Sequence, residues 1–190
     1  MDATDLTPLV ERCRTGDALA WEAFVRQLQG RIFALAYSYA GDCEDARDLA
    51  QEIFVRLYEA RSQWPAGVEF LPWVFRVARN RSVDFLRRRS VRRPAATADE
   101  HEVADLPDPS PGAEAQAIAS DRRSLLHAAL RGLSAINREI LVLREVHGLP
   151  IQQVAAILGI PIGTVKSRAS RARVELTERV LALSRGRGEA

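Results

Sequence analysis

The sequence has few of the residues that build disulfide frameworks and metal sites. It contains two cysteines and three histidines, and neither set has the spacing of a disulfide or zinc motif. We therefore expect no metal and no cofactor. We expect burial as small hydrophobic residues for Cys13 and Cys43, and surface or boundary positions for His101, His127 and His147.

Long hydrophobic runs are also missing from the 190 residues. No apolar stretch approaches the roughly 20 residues of a membrane-spanning helix, and the acidic start lacks the order of a secretion signal. We find no phosphate-binding loop and no nucleophile motif. These absences predict a cytoplasmic protein without membrane insertion, enzymatic activity or a small-molecule substrate.

Charge is distributed unevenly, although the net charge is only +2. Residues 1–60 carry a net charge of −5, residues 61–93 carry +7, residues 94–121 carry −7, and residues 148–174 carry +4 without any acidic residue. Two basic segments separated by an acidic one predict binding of a polyanion at two places. The basic residues are almost all arginine, which suits phosphate and guanine contacts; the base composition of the genome explains that excess equally well.

Apolar residues recur at spacings of three and four, whereas alternation typical of strands is absent. The pattern predicts an all-α protein. In the N-terminal part it predicts a helix from an N-cap at Thr7 to about Arg14, a longer one ending at Gly41, one from about Glu44 to Ala60, and one from near Pro72 to about Arg89.

The pattern then stops, because residues 94–119 are rich in proline and acidic residues. Such a segment buries too little apolar surface to offset its ordering entropy, so we predict a flexible acidic linker between two small helical domains. The domains are residues 1–93 and 120–183, with a tail at 184–190. In the second domain we predict helices at about Asp121–Arg131, Ser134 to about Val146, Leu149–Leu158, and Ile162 to about Leu183.

The last two helices are separated by Gly159-Ile160-Pro161, the spacing of a helix-turn-helix. On a helical wheel the core face of the second helix carries Val165, Ala169, Ala172 and Leu176. The opposite face and its edges carry Thr164, Lys166, Ser167, Arg168, Ser170, Arg171 and Arg173. This polar, basic face suits a DNA major groove. A small helical bundle with a basic solvent face is the alternative, and the lack of acidic residues argues against it.

The helix near Pro72 has a different character. Its predicted core face carries Leu71, Val74, Ala78 and Phe85, and its other face and margins carry Trp73, Arg76, Arg79, Asn80, Val83, Asp84 and Arg87. Aromatic and amide groups among arginines suit the stacking and edge recognition of unpaired bases. A core tryptophan beside a solvated arginine face fits this helix equally well.

Three segments in this order resemble the bacterial sigma factors of RNA polymerase, specifically the extracytoplasmic-function (ECF) group. They are Asp45–Tyr58 (DARDLAQEIFVRLY), Trp73–Arg89 (WVFRVARNRSVDFLRRR) and Leu158–Arg173 (LGIPIGTVKSRASRAR). The resemblance covers nearly the whole chain apart from the linker and the tails.

The resemblance implies a transcription initiation factor that binds core RNA polymerase, through its β′ clamp helices and β flap, and promoter DNA. The implied core-polymerase residues are Asp45, Asp48, Gln51, Glu52 and Val55. The residues implied at the melted −10 element are Trp73, Arg76, Arg79, Asn80, Asp84, Arg87 and Arg88. Those implied at the −35 duplex are Thr164, Lys166, Ser167, Ser170, Arg171 and Arg173.

The resemblance further implies an anti-sigma factor that holds the protein inactive, and a loop around Trp64 to Phe70 that pockets an extruded base. The linker would lie near the RNA path, either as a nucleic-acid mimic or as a plain tether. Pro150 departs from the family pattern, which usually has a serine or threonine cap there, so this cap must differ.

Two other classes of protein remain open. An ordinary helix-turn-helix regulator would need a dimerisation or ligand domain, which the N-terminal half does not suggest. A protein-only adaptor would use its arginine faces on acidic partners, and DNA cross-linking would distinguish it.

Overall fold

A computed structural model describes residues 6–65, 70–92, 122 and 124–188. These residues contain helices and no strand, which confirms the all-α prediction. The helices are α1 (Thr7–Arg14), α2 (Ala18–Ala40), α3 (Cys43–Glu59), a 3-10 turn (Arg61–Gln63), α4 (Phe70–Arg92), α5 (residues 124–131), α6 (Ala135–Leu141), a π-helical turn (Val142–Val146), α7 (Ile151–Leu158) and α8 (Ile162–Gly188).

Aspartate side chains begin the two helices that follow α1. Asp17 accepts hydrogen bonds from the backbone N–H groups at the start of α2 at 2.9 and 3.1 Å. Asp42 does the same for α3, with the backbone nitrogen of Asp45 at 2.8 Å. The prediction of Thr7 as an N-cap is wrong. Thr7 is already helical, and Leu6, which has no side-chain acceptor, occupies the cap position.

The N-terminal half packs α2, α3 and α4 around a buried apolar centre. Trp64, which follows the 3-10 turn, is part of that centre with only 2% of its surface exposed. Its indole Nε1 donates a hydrogen bond to the Leu57 carbonyl at 3.0 Å, and its ring packs on the rings of Phe24 and Phe70. The tryptophan therefore ties the end of α3 to the start of α4.

The C-terminal half differs from its predicted helices in three places. The single helix expected from Ser134 to Val146 is divided into α6 and the π-helical turn. The next helix begins at Ile151 rather than Leu149, and α8 continues to Gly188, beyond Leu183. Ser134 does occupy the cap position of α6.

One cluster of buried hydrophobic residues extends through both halves of the chain. It joins residues of α2, α3 and α4, such as Ile32 and Val74, to residues of the C-terminal half, such as Ile140 and Val154. Cys13 and Cys43 are buried in it, as predicted. The predicted linker, residues 94–119, lies outside the described residues.

His147 contradicts the prediction of a surface or boundary position. Only 6% of its surface is exposed, and it lies where the two halves meet. His101 lies outside the described residues, and His127 is half-buried, with its ring against Tyr37. Across the described ranges, no helix is long and apolar enough to cross a membrane.

Candidate DNA and polymerase interfaces

The turn between α7 and α8 has the geometry that a helix-turn-helix needs. Gly159 ends α7 in the left-handed conformation, with φ +68°, and its N–H donates to the Ala155 carbonyl at 2.9 Å. Pro150 caps the start of α7 with its backbone alone, since its carbonyl accepts from the Val154 N–H at 3.1 Å. The cap therefore departs from a serine or threonine cap without loss of the helix.

Helix α8 buries the face that the helical wheel assigns to the core. Val165, Ala169 and Ala172 are 0–4% exposed. The exposed residues on its other face and edges are Lys166, Ser167, Ser170, Arg171 and Arg173, and Thr164 is half-buried. Among the described residues this face contains no carboxylate before Glu175, so it carries a local positive potential toward solvent.

Two arginines of α8 bind the preceding helices. Arg173 forms an ion pair with Glu145, with its Nη2 atom 2.7 Å from the carboxylate. Arg168 is half-buried and its Nη1 atom lies 3.5 Å from the Asn137 side-chain oxygen. Arg171 makes a weaker contact, from its Nε to the Ser167 carbonyl at 3.3 Å on its own helix. Arg171 is thus the arginine of this set that can turn toward a ligand at the lowest cost.

Helix α4 also exposes most of the residues assigned to it. Val74 and Ala78 are buried as predicted. The exposed side chains are Arg76, Asn80, Asp84, Arg87 and Arg88. Arg79 is only partly exposed, because its Nε donates to the Glu139 carboxylate at 3.1 Å.

Trp73 is half-buried against other aromatic rings, with the Phe70 ring stacked at 6.3 Å and the Trp64 ring at 6.5 Å. Trp73 is thus partly accessible to solvent, whereas Trp64 is buried in the core. Residues 66–69 of the predicted base-holding loop lie outside the described residues.

On α3, the residues assigned to polymerase binding divide into two groups. Asp48, Gln51 and Val55 are exposed, Val55 with 52% of its surface. The other two bind α4, since Asp45 lies 2.9 Å from Arg89 and Glu52 lies 2.9 Å from Arg81 and 3.2 Å from Arg88.

Electrostatics around Asp45 follow from this packing. Burial and the adjacent Asp42 raise the pKa of the Asp45 carboxyl above its usual value, while Arg89 opposes them. The ion pair between Glu52 and Arg88 links two candidate surfaces. Since Arg88 belongs to the proposed DNA face and Glu52 to the proposed polymerase face, the two surfaces meet along the edge between α3 and α4.

Tyr58 and Leu19 are exposed apolar residues that the predicted surfaces do not include. The apolar spacing of α3 predicts Tyr58 in a buried stripe with Ile53 and Leu57, but 41% of its surface is exposed and Arg61 lies over its ring, 4.1 Å from the centroid. Leu19, on α2, is 72% exposed. The spacing of Val55 and Tyr58, three residues apart on one helix, places them on the same face and could have indicated an apolar patch.

Family comparisons agree with this arrangement of helices. Residues 24–92 match the family model for sigma-70 region 2, and residues 123–176 match the model for sigma-70 region 4. The first match contains α3 and α4, and the second contains the helix-turn-helix. The two halves of the chain thus match region 2 and region 4 of the sigma-70 family.

Individual relatives point to one group within that family. The ECF RNA polymerase sigma factor SigE of Mycolicibacterium smegmatis is 35% identical over 86% of this chain, which spans 64% of that protein, slightly less than two thirds. The ECF RNA polymerase sigma-E factor of Escherichia coli K12 is 30% identical over 93% of this chain and 95% of its own length. The chain belongs to the ECF group of RNA polymerase sigma factors.

A solved structure supports the same assignment. The sigma factor RpoE of Bartonella quintana, crystallised with the anti-sigma factor NepR, matches with a TM-score of 0.66 and 27% identity, over 84% of this chain and 97% of its own. The predicted resemblance to the ECF sigma factors is confirmed. Sigma factors are not known as enzymes.

Proposed function

We propose that the chain reads the −35 duplex with the exposed face of α8. This proposal rests on the two different faces of α8. Val165, Ala169 and Ala172 are buried, while the opposite face is exposed, polar and basic. Ser167, Ser170 and Arg171 would meet base edges, and Thr164, Lys166 and Arg173 would position the helix on phosphates. A good bidentate contact to a base is worth about 1–3 kcal/mol of discrimination.

The exposed face of α4 is proposed to capture the melted −10 strand. Arg76, Arg87 and Arg88 supply salt-dependent affinity for phosphate. Asn80 offers both a donor and an acceptor to a base edge, Trp73 offers a stacking surface, and Asp84 orients Arg87, which lies 3.7 Å away. Holding unpaired bases offsets the stacking lost on melting, about 1.4 kcal/mol per step.

The exposed face of α3 is proposed to dock on the β′ clamp helices, and the C-terminal domain on the β flap. Asp48 and Gln51 would contribute polar contacts and Val55 an apolar one, while Asp45 and Glu52 would stand behind them and stay paired with α4. Core polymerase then fixes the distance between the two DNA readers, so both engage at a high effective concentration. The protein itself performs no catalysis and acts in the cytoplasm.

An anti-sigma factor is proposed as the regulating partner. The related RpoE of Bartonella quintana was crystallised with such a factor. In this chain Val55 and Tyr58 expose an apolar patch beside carboxylates, as a protein-binding face would. An inhibitor on this patch would compete directly with core polymerase.

In vitro transcription with core polymerase on a promoter library tests the function. We expect the chain to direct initiation from a defined set of promoters, Arg171→Ala to change the preferred −35 sequence, and Asn80→Ala to lower the rate of promoter opening. Arg26→Ala, on the exposed side of α2, is the control and should transcribe like the parent. A chain that fails to associate with core polymerase would contradict the proposal, and so would two site variants that behave like the control.

A further inference from the structure

The two halves of the chain meet across a buried interface formed by α2 and α4 on one side and by α6, the π-helical turn and α7 on the other. At its centre the His147 ring stacks on Phe75, with centroids 4.6 Å apart and planes inclined by 28°. Arg31 lies beside both, because its guanidinium carbon is 5.1 Å from the Phe75 centroid and its Nη2 donates to the His147 carbonyl at 2.6 Å. Apolar packing and a buried hydrogen bond thus hold the halves together.

A buried carboxylate makes the interface specific. Glu139, on α6, is 6% exposed; one oxygen accepts from the Tyr39 hydroxyl and the other from Arg79 Nε. Burial and the adjacent carboxylate raise the pKa of Tyr39 far above its usual value, so the phenol remains a donor. A buried carboxylate is costly unless it is paired. Glu139 therefore fits its surroundings because the other half supplies both partners.

The interface covers part of a proposed DNA reader. Arg79 belongs to the α4 set assigned to the −10 strand, yet in this structure its guanidinium binds the carboxylate of the other half and its side chain is 25% exposed. Arg76 and Asn80, on the same helix, remain exposed. The C-terminal half thus competes with DNA for one residue of the reader and leaves its neighbours accessible.

The packing also holds the two readers too close together for promoter binding. Helix α4 contacts α7, and α7 contacts α8, so a single helix separates them. The −10 and −35 elements lie about 25 base pairs apart, or roughly 85 Å of B-form duplex. The roughly thirty residues between α4 and α5 can span at most about 100 Å when extended, which permits separation of the halves.

We propose that the free chain rests in this closed state and that Arg31, Glu139 and His147, with their partners across the interface, form an interdomain latch that must open before both promoter elements are bound. The latch is a property of the free chain. Its effect on DNA binding rests on the proposed function, whereas its existence can be measured on the purified chain without polymerase.

Small-angle X-ray scattering of the purified full-length chain tests the closed state. A compact body of 190 residues has a radius of gyration of about 16 Å, and we expect the parent to be near this value. Glu139→Lys places a cation against Arg79 and should raise the radius above about 20 Å. Arg31→Met removes the hydrogen bond to the His147 carbonyl and should also raise the radius of gyration. It provides a second test of the latch if Glu139→Lys fails to fold.

Two matched variants control for the substitutions. Glu145→Lys makes the same charge change in the same half, at a residue that pairs with Arg173 within that half. Arg26→Met makes the same change on α2 at an exposed residue paired with Glu22. Both should scatter like the parent. An extended parent would overturn the closed state, and latch variants as compact as their controls would overturn the latch.

Binding of mixed-sequence single-stranded DNA reports whether Arg79 is released. One further phosphate contact on a single strand is worth about fivefold in affinity at ~0.1 M salt, from a slope of about 0.7 per contact. We expect Glu139→Lys to bind about fivefold more tightly than Glu22→Lys, which carries the same net charge and whose partner Arg26 belongs to no proposed DNA reader. Equal affinities for these two variants would show that the latch does not cover a DNA-binding residue and would overturn that part of the proposal.

Discussion

At the scale of single residues, Trp64 shows how a side chain assigned to function can belong to the core. The loop that contains it resembles one that holds a base, but the indole is buried and hydrogen-bonded to Leu57. A tryptophan followed by proline and glycine carries no periodicity, so the sequence could not separate the two roles. Only the packing of Phe24 and Phe70 around the ring does so.

Replacing this tryptophan tests its structural role. Trp64→Phe removes the indole N–H and leaves the Leu57 carbonyl buried without that donor, so we expect the free energy of unfolding to fall by about 1–3 kcal/mol. Trp73→Phe, at a half-buried ring, should cost less. Urea denaturation followed by circular dichroism measures both, and equal losses would contradict the assignment of Trp64 to the core.

His147 predicts a pH dependence of stability. Burial and the nearby Arg31 lower the pKa of His147 to about 3, and neither ring nitrogen has a hydrogen-bond partner among the described residues. The neutral ring is therefore favoured in the folded chain, and the charged ring in the unfolded chain below about pH 6.5. The free energy of unfolding should fall as the pH drops through this value, by about 2 kcal/mol between pH 7 and pH 5.

A phenylalanine at this position isolates the contribution of the imidazole. His147→Phe keeps an aromatic ring against Phe75 and removes the titrating group, so its stability should vary less over the same pH range. Carboxylates titrate in both proteins, and the difference between the two curves cancels them. Parallel curves for parent and variant would contradict the burial of a neutral His147.

At the scale of elements, the turn of the helix-turn-helix depends on one backbone conformation. Gly159 has φ +68°, where a side chain costs about 1–2 kcal/mol, so Gly159→Ala should lower the melting temperature. Gly163→Ala is the matched control: it lies in α8, where a methyl group would meet no described atom within 4 Å, and alanine favours a helix. Differential scanning fluorimetry should show shifts of opposite sign, and shifts of the same sign would contradict this account.

The exposed face of α3 predicts a second pair of variants. Val55→Ala removes apolar surface from the proposed polymerase contact and should weaken binding to core polymerase by roughly fivefold to tenfold, with little change in melting temperature. Leu19→Ala removes apolar surface from α2, outside the proposed polymerase contacts, at a residue 72% exposed against 52% for Val55, and should bind like the parent. Fluorescence anisotropy with labelled protein measures both affinities. An equal loss of binding in the two variants would contradict the assignment of Val55 to the polymerase contact.

Helices that bury a continuous stripe were predictable, and interrupted ones were not. Periodicity identified the core face of α8 with Val165 and Ala172, and the bounds of α3 to within one residue. It missed the π-helical turn, because a single inserted residue changes the register without breaking the apolar spacing. It placed Tyr58 in the stripe, since an aromatic ring at the margin fits either face.

At the scale of the whole molecule, the contact between the two halves could not be predicted from the sequence. Glu139 lies 100 positions after Tyr39 and 60 positions after Arg79, and neither Arg79 nor Glu139 carries a local signal of burial. The opposite charges of residues 1–60 and 61–93 were visible, but they pair within the N-terminal half, as Asp45 with Arg89 shows. Long-range polar contacts of this kind require the three-dimensional arrangement.

The shared core predicts how the molecule unfolds. Because one buried cluster runs through both halves, we expect the parent to unfold in a single calorimetric transition. Glu139→Lys should divide that transition in two, one for each half, while Glu145→Lys should leave it single. Two transitions in the parent would indicate that the halves are energetically independent.

Phe75 also has a consequence for biosynthesis. The ring is completely buried, and its stacking partner His147 is translated roughly 70 residues later, which takes about 4–14 seconds at 5–20 residues per second. During that interval the nascent N-terminal half leaves the ribosome with this apolar surface exposed. We expect chaperones to be recruited to this face until the helix-turn-helix half emerges and shields it.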